Sequence, residues 1–166
     1  MALSADDLRQ VLADAGISTV IIGAHAANRY RLEVRSTVDL DLLAADLDGA
    51  AEALRVAGCE VRSVTDDGVE YLVCAQLGAA RVDVLLAETD YQRLAIDRAV
   101  GGVLTVEDVI VHKLIAGRPR DLDDIMSILA AGVSVDEAYV VEHATSWGVD
   151  DRWRALRERD GDRPDG

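Results

Sequence analysis

The chain has 166 residues, of which 50% are hydrophobic, 29% charged and 4% aromatic, with a formal net charge of −14. That length fits a single domain with a real core, and so much apolar side chain excludes a disordered chain. No apolar run approaches the ~18–20 residues of a membrane helix, and the acidity argues against wrapping long duplex DNA, which needs a basic face.

Residues 4–15 read as a helix: Ser4 can cap it, Asp6 and Asp7 favour its first turn, and Leu8, Val11 and Leu12 share a face. Gly16 ends it, and residues 17–22 form a short β-branched strand that Gly23 breaks. Residues 24–31 read as helix and 38–43 as a second strand, with Asp39 and Asp41 on one face and Val38, Leu40 and Leu42 on the other. A helix over 48–57 is closed by Gly58. Strands follow at 59–64, 69–76 and 81–86, with Asp66-Asp67-Gly68 turning the first hairpin and Leu77-Gly78-Ala79 the second. Helices are expected over 90–99, 109–116 (Thr105 and Asp108 marking the cap), 121–130 and 134–144, with a last helical segment near Trp147 and Trp153.

This order predicts an α/β (α+β) domain with a mixed sheet. Residues 1–100 would form the core, 101–158 a helical subdomain packed on it, and 159–166 a polar tail. No export signal is visible at the N-terminus, so a cytoplasmic protein is expected. Cys59 and Cys74 lie in apolar strand-like surroundings without metal-site spacing, which predicts reduced core cysteines. Sixteen of the 17 basic residues are Arg, leaving Lys113 as the only lysine.

Aspartates at i and i+2 of a strand point the same way, their β-carbons ~6–7 Å apart. Two ionised carboxylates that close repel, and a hard cation such as Mg²⁺ (or Mn²⁺) relieves the repulsion with the oxygen ligands it prefers. The plain alternative is a solvated strand face, but Asp is poor in strands and Val38, Leu40 and Leu42 indicate burial. Asp83 sits in a second such strand. Three aspartates on neighbouring strands would make a ligand set for two metals acting on phosphates. Gly23, at a strand-to-helix turn, adds backbone N–H groups able to bind phosphate, although most such glycines simply turn the chain.

Taken together, Gly23-Ala24-His25-Ala26, Arg35-x-Thr37-x-Asp39-x-Asp41 and Asp83 resemble the nucleotidyltransferase fold superfamily, in its AbiEii-type (MenT-like) toxin branch. Glu107-Asp108, Lys113-Leu114-x-Ala116-x-Arg118 and Asp121-x-x-Asp124 resemble that branch's C-terminal segment. The resemblance covers residues 17–130 and implies a nucleotidyltransferase-like mixed sheet, Mg²⁺, an NTP such as ATP, and transfer of a nucleoside monophosphate. It implies that Gly23 and Ala24 form the phosphate-binding turn, that Asp39 and Asp41 are metal ligands, and that Asp83 is the third carboxylate, activating the acceptor hydroxyl. Lys113 would contact the triphosphate with Asp121 nearby. A toxin–antitoxin setting follows from the same likeness, with an acceptor such as tRNA or a protein and a cognate antitoxin as partner. Ala24 departs from the Gly or Ser often found there, leaving backbone donors only.

Each residue has a plainer alternative. Lys113 could lay its stem along an apolar helix with its ammonium in water, and Asp121 and Asp124 could serve as helix-start acids. Arg35 could orient a carboxylate or phosphate, or make a surface ion pair; Arg118 and Arg120 could pair with the neighbouring acids or face phosphate. Thr37 is expected to bond local backbone, and His25, His112 and His143 to be structural. The reading of the whole is an Mg²⁺-dependent nucleotidyltransferase. Its alternative is a non-catalytic relative that binds nucleotide or a partner.

Overall fold

A computed structural model describes residues 4–162. The chain divides into two compact units, one built from the chain up to His25 and from Ser36 to Leu104, the other from Ala26 to Arg35 and from Thr105 onward. In order, the elements are α1 (Ala5–Asp14), β1 (Thr19–Ile21), α2 (Gly23–Asn28), β2 (Leu40–Ala44), α3 (Leu47–Val56), β3 (Glu60–Asp66), β4 (Val69–Leu77), β5 (Ala80–Leu86), α4 (Asp90–Arg98), α5 (Val106–Ala116), α6 (Pro119–Ala130), α7 (Glu137–Ser146) and α8 (Asp150–Gly161). The expected tail at 159–166 is helical as far as Gly161, and residues 163–166 lie outside the described residues. Among the described residues no helix is long and apolar enough to cross a membrane.

The first unit is a five-stranded sheet in the order β1-β2-β5-β4-β3. Only β2 and β5 run parallel; the other pairs are antiparallel. Asp67 and Gly68 both have positive φ (46° and 79°), the mirror-image turn that matches strand twist and joins β3 to β4 as expected. Strand alternation sets the two faces. Leu40, Leu42 and Ala44 of β2, Val73 and Ala75 of β4, and Val82 and Val84 of β5 are buried in one cluster with Leu8 and Leu12 of α1 and Ala50 and Leu54 of α3. The intervening residues, Asp41, Cys74 and Asp83, therefore point to the opposite face.

Strand boundaries shift from expectation: β1 covers Thr19–Ile21 within the expected 17–22, β3 runs on to Asp66, and the shift at β2 bears on the site. The strand placed at 38–43 begins at Leu40, where pairing with β5 starts (Leu40 opposite Val82), and Val38 is 73% exposed. Apolar character alone put Val38 and Asp39 in the strand; ladder hydrogen bonds decide its start.

The second unit is helical. Thr105 caps α5 through the Asp108 N–H (3.3 Å), so the helix starts at Val106 rather than Val109. Asp136 caps α7 through the Tyr139 N–H (3.1 Å) and moves its start to Glu137. Leu114, Ile125, Ile128, Val140, Ala144, Trp153 and Leu156 are buried. Asp108 is fully buried yet satisfied: Tyr139 Oη donates to it at 2.7 Å and Thr105 Oγ1 at 2.8 Å.

His112 gives this unit a pH dependence. Burial pushes its pKa down to about 4, against an opposing pull from Asp108. Between pH 6.5 and 4 the unfolded chain takes up a proton that the folded chain refuses, so stability falls as pH falls through this window, by ~3 kcal/mol in total. Urea unfolding at pH 7, 5.5 and 4.5 is expected to show that loss, and His112→Leu is expected to flatten it.

Candidate functional site

In the first unit the sheet register builds the site. Asp41 and Asp83 are direct partners on the parallel strands β2 and β5, which sets their side chains side by side on the face away from α1 and α3, about 5 Å apart. Cys74 of β4 is the next partner of Asp83, and Arg62 of β3 the next partner of Cys74. Arg62, Cys74, Asp83 and Asp41 thus form one row across four strands.

Gly23 closes the row at the β1 side. Its φ of +64° suits glycine, and a β-carbon there would overlap the Asp41 carboxylate, with Cγ at 3.0 Å and Cβ at 3.1 Å. The sequence joins these two residues only as motif members; the structure puts the Asp41 carboxylate directly against the Gly23 backbone. Gly23→Ala is expected to cost 1–3 kcal/mol from backbone strain and to displace Asp41. Thermal unfolding and an NTP-labelling assay on the same variant would measure both effects.

Asp39 stands in a bend before β2 and is 47% exposed, against 17% for Asp83. Arg81, two residues before Asp83 on the same face, reaches both acids: Nη2 lies 3.3 Å from Asp83 and Nε 4.0 Å from Asp39. Its hydrogen bond to Asp83, that acid's charge and then Asp39's charge raise the Arg81 pKa above its ordinary value. Sequence reasoning passed over Arg81, although an arginine two residues from Asp83 on one strand was a readable signal. Thr37 Oγ1 donates to the Asp39 carbonyl at 3.4 Å, the local backbone bond expected of it. The buried Nδ1 of His25 has no hydrogen-bond partner among the described residues.

Cys74 is not an apolar core residue. Arg62 Nη2 donates weakly to its Sγ at 3.9 Å, and burial, followed by the hydrogen bond with Asp83, pushes its thiol pKa up. A thiol held protonated is a poor nucleophile, so Cys74 shapes the site without reacting in it. Both cysteines are free.

The acids supply only carboxylate oxygen, the donor that Mg²⁺ prefers, and two of them adjoin across β2 and β5. In the arrangement observed, Arg81 supplies the compensating charge. No group of three or more His, Cys, Asp or Glu side chains among the described residues is placed to hold a metal ion.

The other predicted site residues, Arg35, Lys113 and Asp121, lie in the second unit and form a cluster of their own. Lys113 is 5% exposed, and its Nζ bridges Asp124 Oδ2 (2.7 Å) and Asp121 Oδ1 (3.1 Å). Asp124 also meets Arg31 Nη1 at 2.9 Å and Arg35 Nη2 at 3.2 Å, while Arg118 Nε bonds Asp121 Oδ2 at 2.6 Å. Burial works to raise the Asp121 pKa, but the hydrogen bonds and charges of Arg118 and Lys113 outweigh it and hold the carboxyl below its ordinary value. This bridge departs from the water-exposed ammonium that is one alternative for Lys113. Asn28 adds order to the same unit: its side chain donates to the Arg35 carbonyl at 2.7 Å and accepts from the Arg35 N–H at 3.0 Å.

No described protein family and no curated protein matches the sequence. Solved structures do match the fold. The solution structure of the antibiotic-resistance factor ANT(2'')-Ia aligns with a TM-score of 0.56 at 17% identity, covering 94% of each chain. The fold is an α/β, nucleotidyltransferase-like one. The crystal structure of ANT(2'')-Ia with adenylyl-2''-tobramycin aligns with a TM-score of 0.51 at 15% identity, over 92% of this chain and 94% of that one. A structure from H. pylori, described as a candidate nucleotidyltransferase, aligns with a TM-score of 0.51 at 14% identity, over 94% of this chain and 80% of that one. At such identities the nucleotidyltransferase likeness is one of architecture, and the chemistry rests on the residues themselves.

Proposed function

We propose that the protein is a nucleotidyltransferase that moves a nucleoside monophosphate from an NTP to an acceptor hydroxyl. The observation that carries this reading is the side-by-side placement of Asp41 and Asp83 with Gly23 against the Asp41 carboxylate. Two adjoining acids on one sheet face, beside the glycine turn that opens α2, suit a reaction at a polyphosphate. Asp41 and Asp83 would hold Mg²⁺, or Mn²⁺ in its place, which when bound stabilises charge on the phosphates. Asp39, implied as a ligand by the resemblance, would join them only by moving in from its exposed bend. Gly23 and Ala24 would bind phosphate through backbone N–H groups. Asp83 would accept the proton of the attacking hydroxyl, and Thr37 supports Asp39 through its bond to that backbone.

The resemblance also implies nucleotide-binding roles for Lys113, Asp121 and Arg35, and within their own unit Arg35 is 36% exposed while Lys113 and Asp121 are buried. The AbiEii-type resemblance favours an RNA acceptor such as tRNA, a cognate antitoxin and a cytoplasmic setting. The net charge of −14 gives an RNA acceptor no support.

One observation favours the alternative of a non-catalytic nucleotide- or partner-binding relative: Arg81 stands where a cation would neutralise Asp39 and Asp83. Incubation with each α-labelled NTP, Mg²⁺ or Mn²⁺, total RNA and a metabolite extract discriminates the two. Label transferred by the intact protein and not by Asp39→Ala, Asp41→Ala supports the enzyme. Nucleotide bound without transfer to any acceptor supports the binding module, and phosphate released without transfer would indicate a phosphohydrolase.

A further inference from the structure

We propose that the groove on the sheet face beside Asp83 seats the acceptor, and that this acceptor is a small hydroxyl compound carrying an anionic group that Arg62 holds. The inference rests on the nucleotidyl-transfer reading and adds to it the place and chemical class of the second substrate.

The groove has a volume of about 410 Å³ and is lined by Glu60, Arg62, Cys74, Gln76 and Arg81, among others. That size matches sites for small molecules, which run ~300–1,000 Å³. The register fixes the reach from the groove to the neighbouring acid: from Arg62, which lines it, to Asp83, just beyond its lining, is two strand spacings across Cys74, or about 10 Å. A compound of several carbons can span that distance, with an anionic group at one end and a hydroxyl at the other. Cys74 forms a small neutral floor between them.

The charges choose the ligand. Arg81 is taken up by Asp83 and Asp39. Arg62 is exposed, and the side-chain hydrogen bond it makes among the described residues is the long one to the Cys74 thiol at 3.9 Å. A guanidinium presents five N–H donors in a fork that fits carboxylate or phosphate oxygen pairwise, and here nearly all of them are available. Glu60, two residues earlier on β3, and Gln76, its register partner, supply acceptors for further hydroxyl groups. A polyanion such as RNA would bring many phosphates toward a body of net charge −14, whereas a small anion brings one. In the reaction the acceptor oxygen bonds to the α-phosphorus of the NTP. The bond from that phosphorus to the pyrophosphate oxygen breaks, pyrophosphate leaves with the electron pair, and the hydroxyl proton passes to Asp83.

The test uses the full chain, ¹⁵N-labelled, titrated with ribose 5-phosphate, ribose and spermine, and separately with ATP and Mg²⁺. Ribose 5-phosphate is expected to shift the amides of Arg62, Cys74, Gln76 and Arg81, ribose to shift them at least tenfold more weakly, and Arg62→Gln to lose at least tenfold in affinity. ATP is expected to shift Gly23 and Ala24 equally in both proteins. Equal binding of ribose and its phosphate, no effect of Arg62→Gln, or spermine shifting the groove instead would overturn the proposal while leaving the ATP response intact. An ATP titration that leaves Gly23 and Ala24 unmoved would instead remove the nucleotidyl-transfer reading, and the acceptor role with it.

Discussion

Asp83→Asn is expected to lower nucleotidyl transfer by 10²–10⁴-fold, the contribution of a positioned proton acceptor, while NTP affinity changes by a much smaller factor. The substitution is nearly isosteric, and it removes one of two carboxylates that adjoin across β2 and β5, so the sheet has no reason to suffer. Arg81 loses its partner at 3.3 Å, but it is 43% exposed and can turn to water. Initial rates of label transfer, set beside NTP affinity by calorimetry, separate the two roles open to Asp83. A large rate loss with binding retained makes it the proton acceptor. Equal losses in both would make it a ligand only.

Lys113→Ala is expected to destabilise the helical unit by 3–5 kcal/mol. Lys113 is buried between Asp121 and Asp124, so its loss strikes the fold of this unit directly. Removing one partner of a buried ionic group leaves the others uncompensated, which costs far more than a surface pair is worth. Both aspartates are 1% exposed, so neither can recover its hydration without opening the unit. Arg31 and Arg35 would still meet Asp124, and Arg118 would still meet Asp121, which keeps the expected loss below that of two bare charges. Urea unfolding monitored at the buried Trp153 measures it. The Asp121 carboxyl, held below its ordinary pKa, adds stability that is present at neutral pH and lost as acid protonates it, so the wild-type unit should also weaken below pH 4.

Much of the fold was legible because local chemistry agreed with it. Ser4, Thr105 and Gly117 mark helix ends, Asp67-Gly68 marks a hairpin, and β5 alternates the buried Val82 and Val84 with outward residues. The site was legible where residues adjacent in sequence remain adjacent in space, as with Thr37 and Asp39. What the sequence withheld depends on pairing between distant segments. No property of Asp41 or Asp83 alone announces that they are register partners, and a slip of one residue would have put either on the buried face. The row of Arg62, Cys74 and Asp83 was hidden for the same reason, since Cys74 reads as one more apolar strand residue. Lys113 attracted notice as the only lysine, but the acids it bridges also hold arginines from elsewhere: Asp124 of α6 meets Arg31 and Arg35 from the segment before β2, far along the chain. Val38 misled because an apolar side chain is evidence of burial only when something packs over it.

The central claim is that Asp41, Asp83 and the Gly23 turn form one reaction centre for a nucleotide triphosphate. A crystal structure with Mg²⁺ and a nonhydrolysable NTP tests it most directly. The expected result is a cation held by Asp41 and Asp83, with phosphate oxygens on the Gly23 and Ala24 amides and Arg81 turned away from Asp83. Nucleotide bound elsewhere on the protein, with Arg81 still seated on Asp83 and Asp39, would contradict it.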